Sequence, residues 1–283
     1  AELDEILKSK ARIKTIIVKE LKSIAEKYGQ PRKSIIIYDD VARYEEETVE
    51  IPDYPVNLFF TKEGYFKKIT PQSLRMSGEQ KLKDGDEIIQ ELEFTNNCDL
   101  LFFTDKCQVY KAKADDFAQT KASVLGDYVA AKLGFDEGEN AVKMVVTKDY
   151  KGMLLFAFEN GKAAKVPLES YATKTNRKKL TGAYSDKSPL VGLLYMPEDE
   201  EVLFKASSGN MLLVHTGALA LKTTRSTQGV AVLKPKKGHR LFSIERYKDG
   251  TFTNPKRYRT GSLPARGALP VNDDSKDEQL SLI

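Results

Sequence analysis

The stretch that decides the fold is VNLFFTKEGYFKKI, residues 56–69. An apolar run, a polar turn at Gly64 and a second apolar run together predict a β-hairpin. The pattern returns, the last time in a degenerate form, at residues 99–112, 152–166, 201–214 and 240–252. Repetition of one hairpin along a chain is typical of architectures built from similar units.

The turn of each copy holds a glycine at the same place, except in the second copy. These turn residues, 43, 54, 48 and 41 residues apart, are Gly64, Cys107, Gly161, Gly209 and Gly250. Glycine adopts a positive φ without steric cost, so the pattern predicts a left-handed turn residue and makes Cys107 the odd member. Charged turns ahead of further apolar runs recur at residues 83–89, 136–142 and 236–241. About four strands per unit predict the blades of a β-propeller; the alternative is a set of unrelated hairpins in a large sandwich.

The number of blades follows from the number of hairpins. Five recognisable hairpins favour five blades, and a sixth is expected if residues 174–196 form a blade of their own. Ahead of the hairpins, apolar residues from Leu3 to Ile24 recur at three- and four-residue spacing, which predicts one amphipathic helix closing at Tyr28-Gly29. Because the chain begins with Ala1 and runs directly into this helix, we expect a piece of a longer protein.

Composition excludes several classes of protein. The chain has 283 residues, of which 41% are hydrophobic, enough for a core, yet no run approaches the roughly 18 apolar residues of a membrane helix. Two cysteines, Cys98 and Cys107, supply neither a disulfide framework nor a four-ligand metal site. Lone thiols and the lack of a signal-peptide pattern predict a cytoplasmic protein.

Charge is unevenly distributed along the chain. The total is +4, but residues 31–159 hold 17 basic and 24 acidic side chains, whereas residues 160–266 hold 20 basic and 8 acidic ones. Such an asymmetry indicates an anionic partner on one face of the folded protein.

Three stretches carry a resemblance to a known family. FFTKEGYFKK at residues 59–68, TNRKKLTGA at residues 175–183 and RSTQGV at residues 225–230 resemble the C-terminal domain of bacterial type IIA topoisomerase A subunits. The similarity extends to about residue 266. It implies a β-pinwheel, a propeller-like disc whose blades exchange a strand with their neighbours and whose basic rim binds and bends duplex DNA.

The resemblance also implies which chemistry lies elsewhere. In this family the DNA-cleaving tyrosine is upstream of the domain, and ATP and magnesium bind through the partner B subunit. We therefore expect no catalytic residue, metal ligand or cofactor here, and as partners double-stranded DNA, a second A subunit and the B subunit. The gyrase family box of glutamine, arginine and glycine is missing from residues 75–83, so the chain looks more like topoisomerase IV, or a gyrase-like protein without strong supercoiling activity.

The DNA-binding candidates are basic residues that recur in the inter-strand loops. They are Lys67 and Lys68 in the first unit, and then Lys174, Arg177, Lys178, Lys179, Lys222, Arg225, Lys234, Lys236, Lys237, Arg240, Lys256, Arg257, Arg259 and Arg266. Contacts of this kind read phosphates rather than bases, so binding should depend steeply on salt.

The predicted organisation has three parts. Residues 1–30 form a helix from the end of the upstream coiled-coil core, residues 31–270 form the DNA-binding pinwheel, and residues 271–283 form an acidic, disordered tail. The predicted function is to guide the DNA segment for ATP-dependent strand passage by a type II topoisomerase, an isomerase. The alternative is a propeller scaffold that binds a protein, although the Trp-Asp and double-glycine signatures of such scaffolds do not occur here at the repeat spacing.

Overall fold

The computed structural model describes residues 6–30, 51–77, 79–173 and 178–271. The chain divides into two compact units, residues 1–50 and 51–283. The described part of the first unit contains helix α1, Lys10–Tyr28, which begins after Ser9, whose hydroxyl accepts a hydrogen bond from the Arg12 amide. The helix ends before Gly29, as predicted, and none of its residues is buried.

The described second unit is built mainly of short antiparallel strands. In chain order they are β1 Pro55–Thr61, β2 Tyr65–Ile69, β3 Ile88–Thr95, β4 Asp99–Thr104, β5 Gln108–Lys113, β6 Asp127–Tyr128, β7 Ala141–Thr147, β8 Met153–Phe158, β9 Lys162–Pro167, β10 Lys179–Thr181, β11 Leu190–Met196, β12 Glu201–Ala206, β13 Met211–His215, β14 Val230–Ala231 and β15 Leu241–Arg246. Two short helices, α2 Pro71–Arg75 and α3 Val129–Leu133, lie between strands.

The strands of the described residues form four sheets, which we call blades 1 to 4. Their strand orders are β3-β1-β2-β6, β10-β5-β4-β7, β11-β8-β9-β14 and β13-β12-β15. In every blade the first strand of the predicted hairpin lies between its hairpin partner and an inner strand. The inner strands β3, β7 and β11, together with Arg246 of β15, line a central cavity of about 380 Å³. The propeller-like architecture predicted from the hairpins is confirmed.

Blades 1 to 3 each take their fourth strand from the next blade along the chain. Strand β6 follows the blade 2 hairpin but pairs with β2; β10 follows the blade 3 hairpin and pairs with β5; β14 follows the blade 4 hairpin and pairs with β9. This is the strand exchange that the family resemblance implies. Each exchange joins two blades through backbone hydrogen bonds, which do not depend on side-chain identity.

Two glycines permit the close approach that the exchange requires. Gly126 precedes β6 and Gly229 precedes β14, both with positive φ. A Cβ atom on Gly126 would lie 2.3 Å from the Phe66 carbonyl oxygen, and one on Gly229 would lie 2.0 Å from the Ala163 carbonyl oxygen. Any larger residue would therefore push the exchanged strand away from the neighbouring blade.

The expected fifth blade does not form among residues 51–271 that the structure describes, so the prediction of five or six blades is wrong. The first half of the degenerate fifth hairpin becomes β15, the inner strand of blade 4. Gly250 still has a left-handed φ of 92°, but no strand follows it in the described residues. Only four residues separate Gly250 from Pro255, and proline cannot donate to a β-ladder. The chain instead enters a 3-10 turn, Pro255–Arg257.

A sixth blade is excluded because residues 174–196 are shared between two others. Their described part supplies β10 to blade 2 and β11 to blade 3. At the open edge of blade 4, Ala268 forms an antiparallel bridge with Met211, and Arg259 forms a parallel bridge with Leu213. The segment 258–269 thus stands where a fifth unit would place its exchanged strand.

The core lies in the seams between neighbouring blades. Phe60 of blade 1 packs on Phe102 of blade 2, with ring centroids 5.7 Å apart, and Phe103 of blade 2 packs on Phe156 of blade 3 at the same separation. These rings are fully buried and are not available to stack on bases. The left-handed turn position is also confirmed: Cys107 has φ 56°, beside glycines at equivalent positions.

Candidate nucleic-acid interface

Several predicted cations are exposed and have no acidic partner within the described residues. This group, which we call the free cations, consists of Lys178, Lys234, Lys236, Lys237, Lys256 and Arg266. Lys222 belongs with them in lacking an acidic partner, but it is half-buried. A lysine without an intramolecular partner keeps its full charge for an external anion.

The free cations Lys236 and Lys237 lie on a well-defined loop between β14 and β15. The loop is closed by a hydrogen bond of 2.9 Å from the His239 amide to the Lys236 carbonyl. It is anchored to blade 4 by the Arg240 amide, which donates to the Ser207 hydroxyl at 3.0 Å. Charges on an anchored loop lose less entropy on binding than charges on a mobile one.

Three of the predicted cations are instead paired with carboxylates. Lys179 lies 2.7 Å from Asp136, Arg240 lies 3.6 Å from Glu159, and Arg259 makes two bonds of 2.6 Å with Glu201. The hydrogen bond from Arg259 holds the pKa of Glu201 below its usual value. These pairs neutralise part of the charge, so the three cations are weaker candidates than the free ones.

Arg225 lies in a polar notch formed by blades 2 and 3 and the loop before β14. Its guanidinium donates to the Ser170 carbonyl at 3.2 Å and lies 5.7 Å from the centre of the Tyr171 ring. The notch has a volume of about 540 Å³, and its other lining residues are Thr181, Gly182, Thr223, Thr224 and Ser226. An oriented arginine surrounded by hydroxyl groups matches the acceptor geometry of a phosphate.

Lys67 and Lys68 are buried and do not belong to the exposed surface. Only 1% of Lys67 and 2% of Lys68 is accessible to solvent. The Lys67 ammonium donates to the Lys81 carbonyl at 2.6 Å, and the Lys68 ammonium donates to Asn96 and the Ala114 carbonyl, each at 2.7 Å. Burial lowers the pKa of both lysines. In this fold neither ammonium reaches a phosphate outside the disc.

Lys68 is the first member of a series that sequence reasoning missed. Lysines four positions after the hairpin turn recur in three blades as Lys68, Lys111 and Lys165. After its hairpin each of blades 2 to 4 has a short 3-10 turn: Ala114–Asp116, Leu168–Tyr171 and Thr216–Ala218. Each lysine donates to a carbonyl in the turn of the next blade, that of Ala114, Tyr171 and Thr216, respectively. We call these side chains the inter-blade lysines. The fixed four-residue spacing between the turn and the lysine is the signal in the sequence that identifies them. From sequence alone, the same spacing is also compatible with a row of exposed basic residues.

The remaining predictions concern three further basic residues, metal binding and membrane spans. Lys174 and Arg177 lie outside the described residues. Arg257 is exposed and donates to the Leu269 carbonyl at 3.3 Å. The described ranges contain no cluster of three or more metal-binding side chains. Among the same residues, no helix is long and apolar enough to cross a bilayer.

Proteins similar in sequence to this chain include DNA gyrase A proteins of several bacteria. No family model matches the chain. The DNA gyrase A protein of Streptomyces coelicolor is 27% identical over 268 residues, covering 89% of this chain and 31% of that protein. The DNA gyrase A protein of Metamycoplasma arthritidis is 25% identical over 295 residues, covering 97% of this chain and 33% of that protein. The chain thus spans about a third of the length of the curated relatives it matches.

Solved structures agree with the sequence comparison. The C-terminal domain of DNA topoisomerase IV superposes with a TM-score of 0.61 and 24% identity, covering 70% of this chain and 63% of that one. The DNA gyrase A C-terminal domain superposes with a TM-score of 0.52 and 18% identity, covering 76% of each chain. Along most of its length the chain is similar in sequence to DNA gyrase A, and its fold is similar to those of the C-terminal domains of DNA gyrase A and topoisomerase IV.

Proposed function

We propose that the chain binds and bends duplex DNA as a non-catalytic domain of a type IIA topoisomerase A subunit. The observation that carries the proposal is the group of free cations, which fall between residues 178 and 266, in segments that adjoin blades 2 to 4. Phosphates are evenly spaced along a duplex, so binding requires correctly placed positive charge and no base contacts. The Arg225 notch adds one oriented donor to this surface.

In the complete enzyme the domain would guide a DNA segment for strand passage. The gyrase A relatives are about three times as long as this chain, and their remaining length leaves room for the cleavage machinery. The A-subunit dimer and a B subunit that binds ATP and magnesium would supply the chemistry, in the cytoplasm at the nucleoid. Without the gyrase box, we expect support for relaxation and decatenation rather than strong supercoiling.

Bending is energetically reasonable for such a surface. Curving a site of about 20–30 base pairs costs on the order of 1–6 kcal/mol. A few charge-assisted phosphate contacts, each worth about 1.5–3 kcal/mol, offset that cost. Contacts on successive blades would lie at different places around a disc, which favours a curved path over a straight one.

A salt titration of duplex binding tests the proposal. The logarithm of the association constant for a random-sequence duplex should fall linearly with the logarithm of the salt concentration. The slope should be about −0.9 for each phosphate contacted. The double variant Lys236→Gln, Lys237→Gln should reduce the magnitude of this slope by about 2 and weaken all sequences alike. Lys151→Gln, at an exposed lysine paired with Asp149, is the matched control and should leave the slope unchanged. Absence of binding at low salt would instead favour the protein scaffold.

A further inference from the structure

The three seams between inner strands differ at one equivalent position. Each inner strand pairs with the residue four places before its hairpin turn, which gives the pairs Phe60–Gln90, Phe103–Lys143 and Ala157–Gly192. Gln90, Lys143 and Gly192 therefore occupy the same place in blades 1, 2 and 3. Each faces the inner strand of the next blade.

The first and third of these seams are closed. The Gln90 side-chain amide donates to the Met144 carbonyl at 2.8 Å and accepts from the Met144 amide at 2.7 Å. Gly192 instead leaves room for Ile244, since a Cβ atom on Gly192 would lie 2.5 Å from the Ile244 Cγ1 atom. One seam is thus joined by an amide clamp and the other by direct packing.

The seam between blades 2 and 3 is open. Lys143 cannot make both bonds of an amide clamp, because an ammonium group only donates. A cavity of about 480 Å³ lies there, lined by Lys143 and by apolar residues that include Val142, Val191 and Leu193. Lys143 is half-buried, and it has no hydrogen-bond or carboxylate partner in the described part of the chain.

The charge of Lys143 is not compensated by its neighbours. Burial lowers its pKa, and the nearby Arg246 guanidinium lowers it further. Asp105 also lines the cavity, but its carboxylate accepts from the backbone and side-chain amides of Asn140 at 3.0 and 3.1 Å. A half-buried cation in an apolar pocket without a partner is costly, and an external anion would remove that cost.

We propose that this pocket binds a carboxylate with a short aliphatic body, the carboxylate on the Lys143 ammonium and the body against Val142 and Leu193. None of the free cations is among the residues that line this pocket. A carboxylate fits better than a phosphate, because one ammonium offers three donors and a single charge, whereas a phosphate dianion requires several cations or backbone amides. The apolar lining adds the burial of aliphatic carbon, which is favourable.

Titration with 4-methylpentanoate, followed by the methyl resonances of Val142, Val191 and Leu193, tests the proposal. The acid should cause saturable shifts, whereas 4-methylpentanamide, which lacks the charge, and acetate, which lacks the body, should bind roughly tenfold more weakly or worse. Lys143→Met keeps the side-chain length and should reduce affinity at least about tenfold. Lys143→Gln should also abolish binding. The new glutamine can bond to the backbone of Leu193 as Gln90 bonds to that of Met144, which would close the seam and remove the cation.

Control measurements separate this site from the DNA surface and identify the source of the carboxylate. Lys151→Gln should bind the acid like the unmodified chain, and Lys143→Met should retain its DNA affinity. A peptide carrying glutamate between leucines provides the second arm: peptide binding stronger than that of the free acid assigns the site to a protein segment, and the reverse assigns it to a small molecule. Shifts that are absent, equal for acid and amide, or unchanged in Lys143→Met would overturn the proposal.

Discussion

Lys165 of blade 3 donates a hydrogen bond of 2.9 Å to the Asp199 carboxylate, next to blade 4. The same ammonium donates to the Thr216 carbonyl at 2.9 Å, and only 5% of the residue is exposed. With Lys68 and Lys111 it makes a chain of inter-blade lysines that runs from blade 1 to blade 4. In blade 4 the equivalent position is Leu213, which contacts the segment 258–269 through Arg259.

The first prediction concerns this chain of lysines. Lys165→Met should lower the free energy of unfolding by about 1–3 kcal/mol, because the Thr216 carbonyl loses its buried partner and Asp199 its counter-ion. Urea denaturation followed by circular dichroism measures the change. Lys205→Met is the matched control: Lys205 pairs with the exposed Glu245, so its loss should cost less than about 1 kcal/mol. Equal effects of the two variants would contradict the inter-blade role.

The second prediction concerns the glycines ahead of the exchanged strands. Gly229→Ala should destabilise the fold by more than about 3 kcal/mol, since its Cβ would meet the Ala163 carbonyl oxygen 2.0 Å away in addition to the strain of a positive φ. Gly238 has a similar φ of 80°, but a Cβ atom added there would have nothing within 4 Å. Gly238→Ala is therefore the matched control. Its cost should be limited to about 1–2 kcal/mol of backbone strain. Thermal unfolding of both variants separates collision from strain.

The third prediction separates buried from exposed lysines. Lys68→Met should lower stability while the folded fraction keeps its affinity for duplex DNA, because its ammonium is bonded to Asn96 and Ala114 inside the fold. Lys256→Gln should do the opposite, weakening DNA binding without a change in stability. Fluorescence anisotropy at fixed salt, run beside urea denaturation, gives both quantities. A large loss of DNA affinity in folded Lys68→Met would place Lys68 on the DNA surface after all.

The fourth prediction separates paired from free arginines and lysines. Arg259→Gln should weaken DNA binding less than Lys256→Gln, because the two hydrogen bonds with Glu201 already engage the Arg259 guanidinium. Removing Arg259 also frees the Glu201 carboxylate, so the double variant Arg259→Gln, Glu201→Gln is the control that restores the local charge. Anisotropy with one duplex at several salt concentrations distinguishes the variants. The ranking would be contradicted if Arg259→Gln were the weaker binder.

The fifth prediction concerns thiol reactivity. Burial, with a smaller contribution from Asp99, raises the pKa of Cys98 to about 12. At pH 8 this thiol is therefore protonated and should resist alkylation, while the half-buried Cys107 reacts slowly. Both should react at the ordinary rate in urea, as peptide mapping after iodoacetamide treatment would reveal. Rapid native labelling of Cys98 would indicate that blade 2 opens locally.

The sequence was sufficient for features that depend on local pattern. The hairpins, their left-handed turn residues and the end of α1 at Tyr28 follow from alternation, glycine and spacing, and the first four hairpins, all five turn residues and this helix end are present in the structure. The number of blades was not accessible in the same way, because β15 pairs with β12 rather than with residues after Gly250. Pairing partners 35 to 44 residues apart, such as Ala206 with Leu241 and Val202 with Arg246, leave no local signal.

Burial explains why the candidate site was only partly predictable. Lys67 and Lys236 both stand in basic stretches, yet one bonds to backbone carbonyls inside the fold and the other faces solvent. Charge alone cannot distinguish them, since a buried lysine is tolerated wherever carbonyl acceptors surround its ammonium. The pairing of Arg259 with Glu201 joins residues 58 positions apart, so it was equally hidden.

The fourth strand of blades 1 to 3 follows the hairpin of the next blade along the chain. The repeating unit of the sequence therefore does not coincide with a single blade. A chain truncated after β7 would leave blade 2 without its fourth strand, because β10 follows the blade 3 hairpin. Removal of one whole unit between two equivalent points of the repeat preserves the pairing, because the exchanged strand of the following unit takes the place of the one removed. The segment 258–269 covers the open edge of the last blade. A longer disc can therefore arise by inserting whole repeating units ahead of this segment.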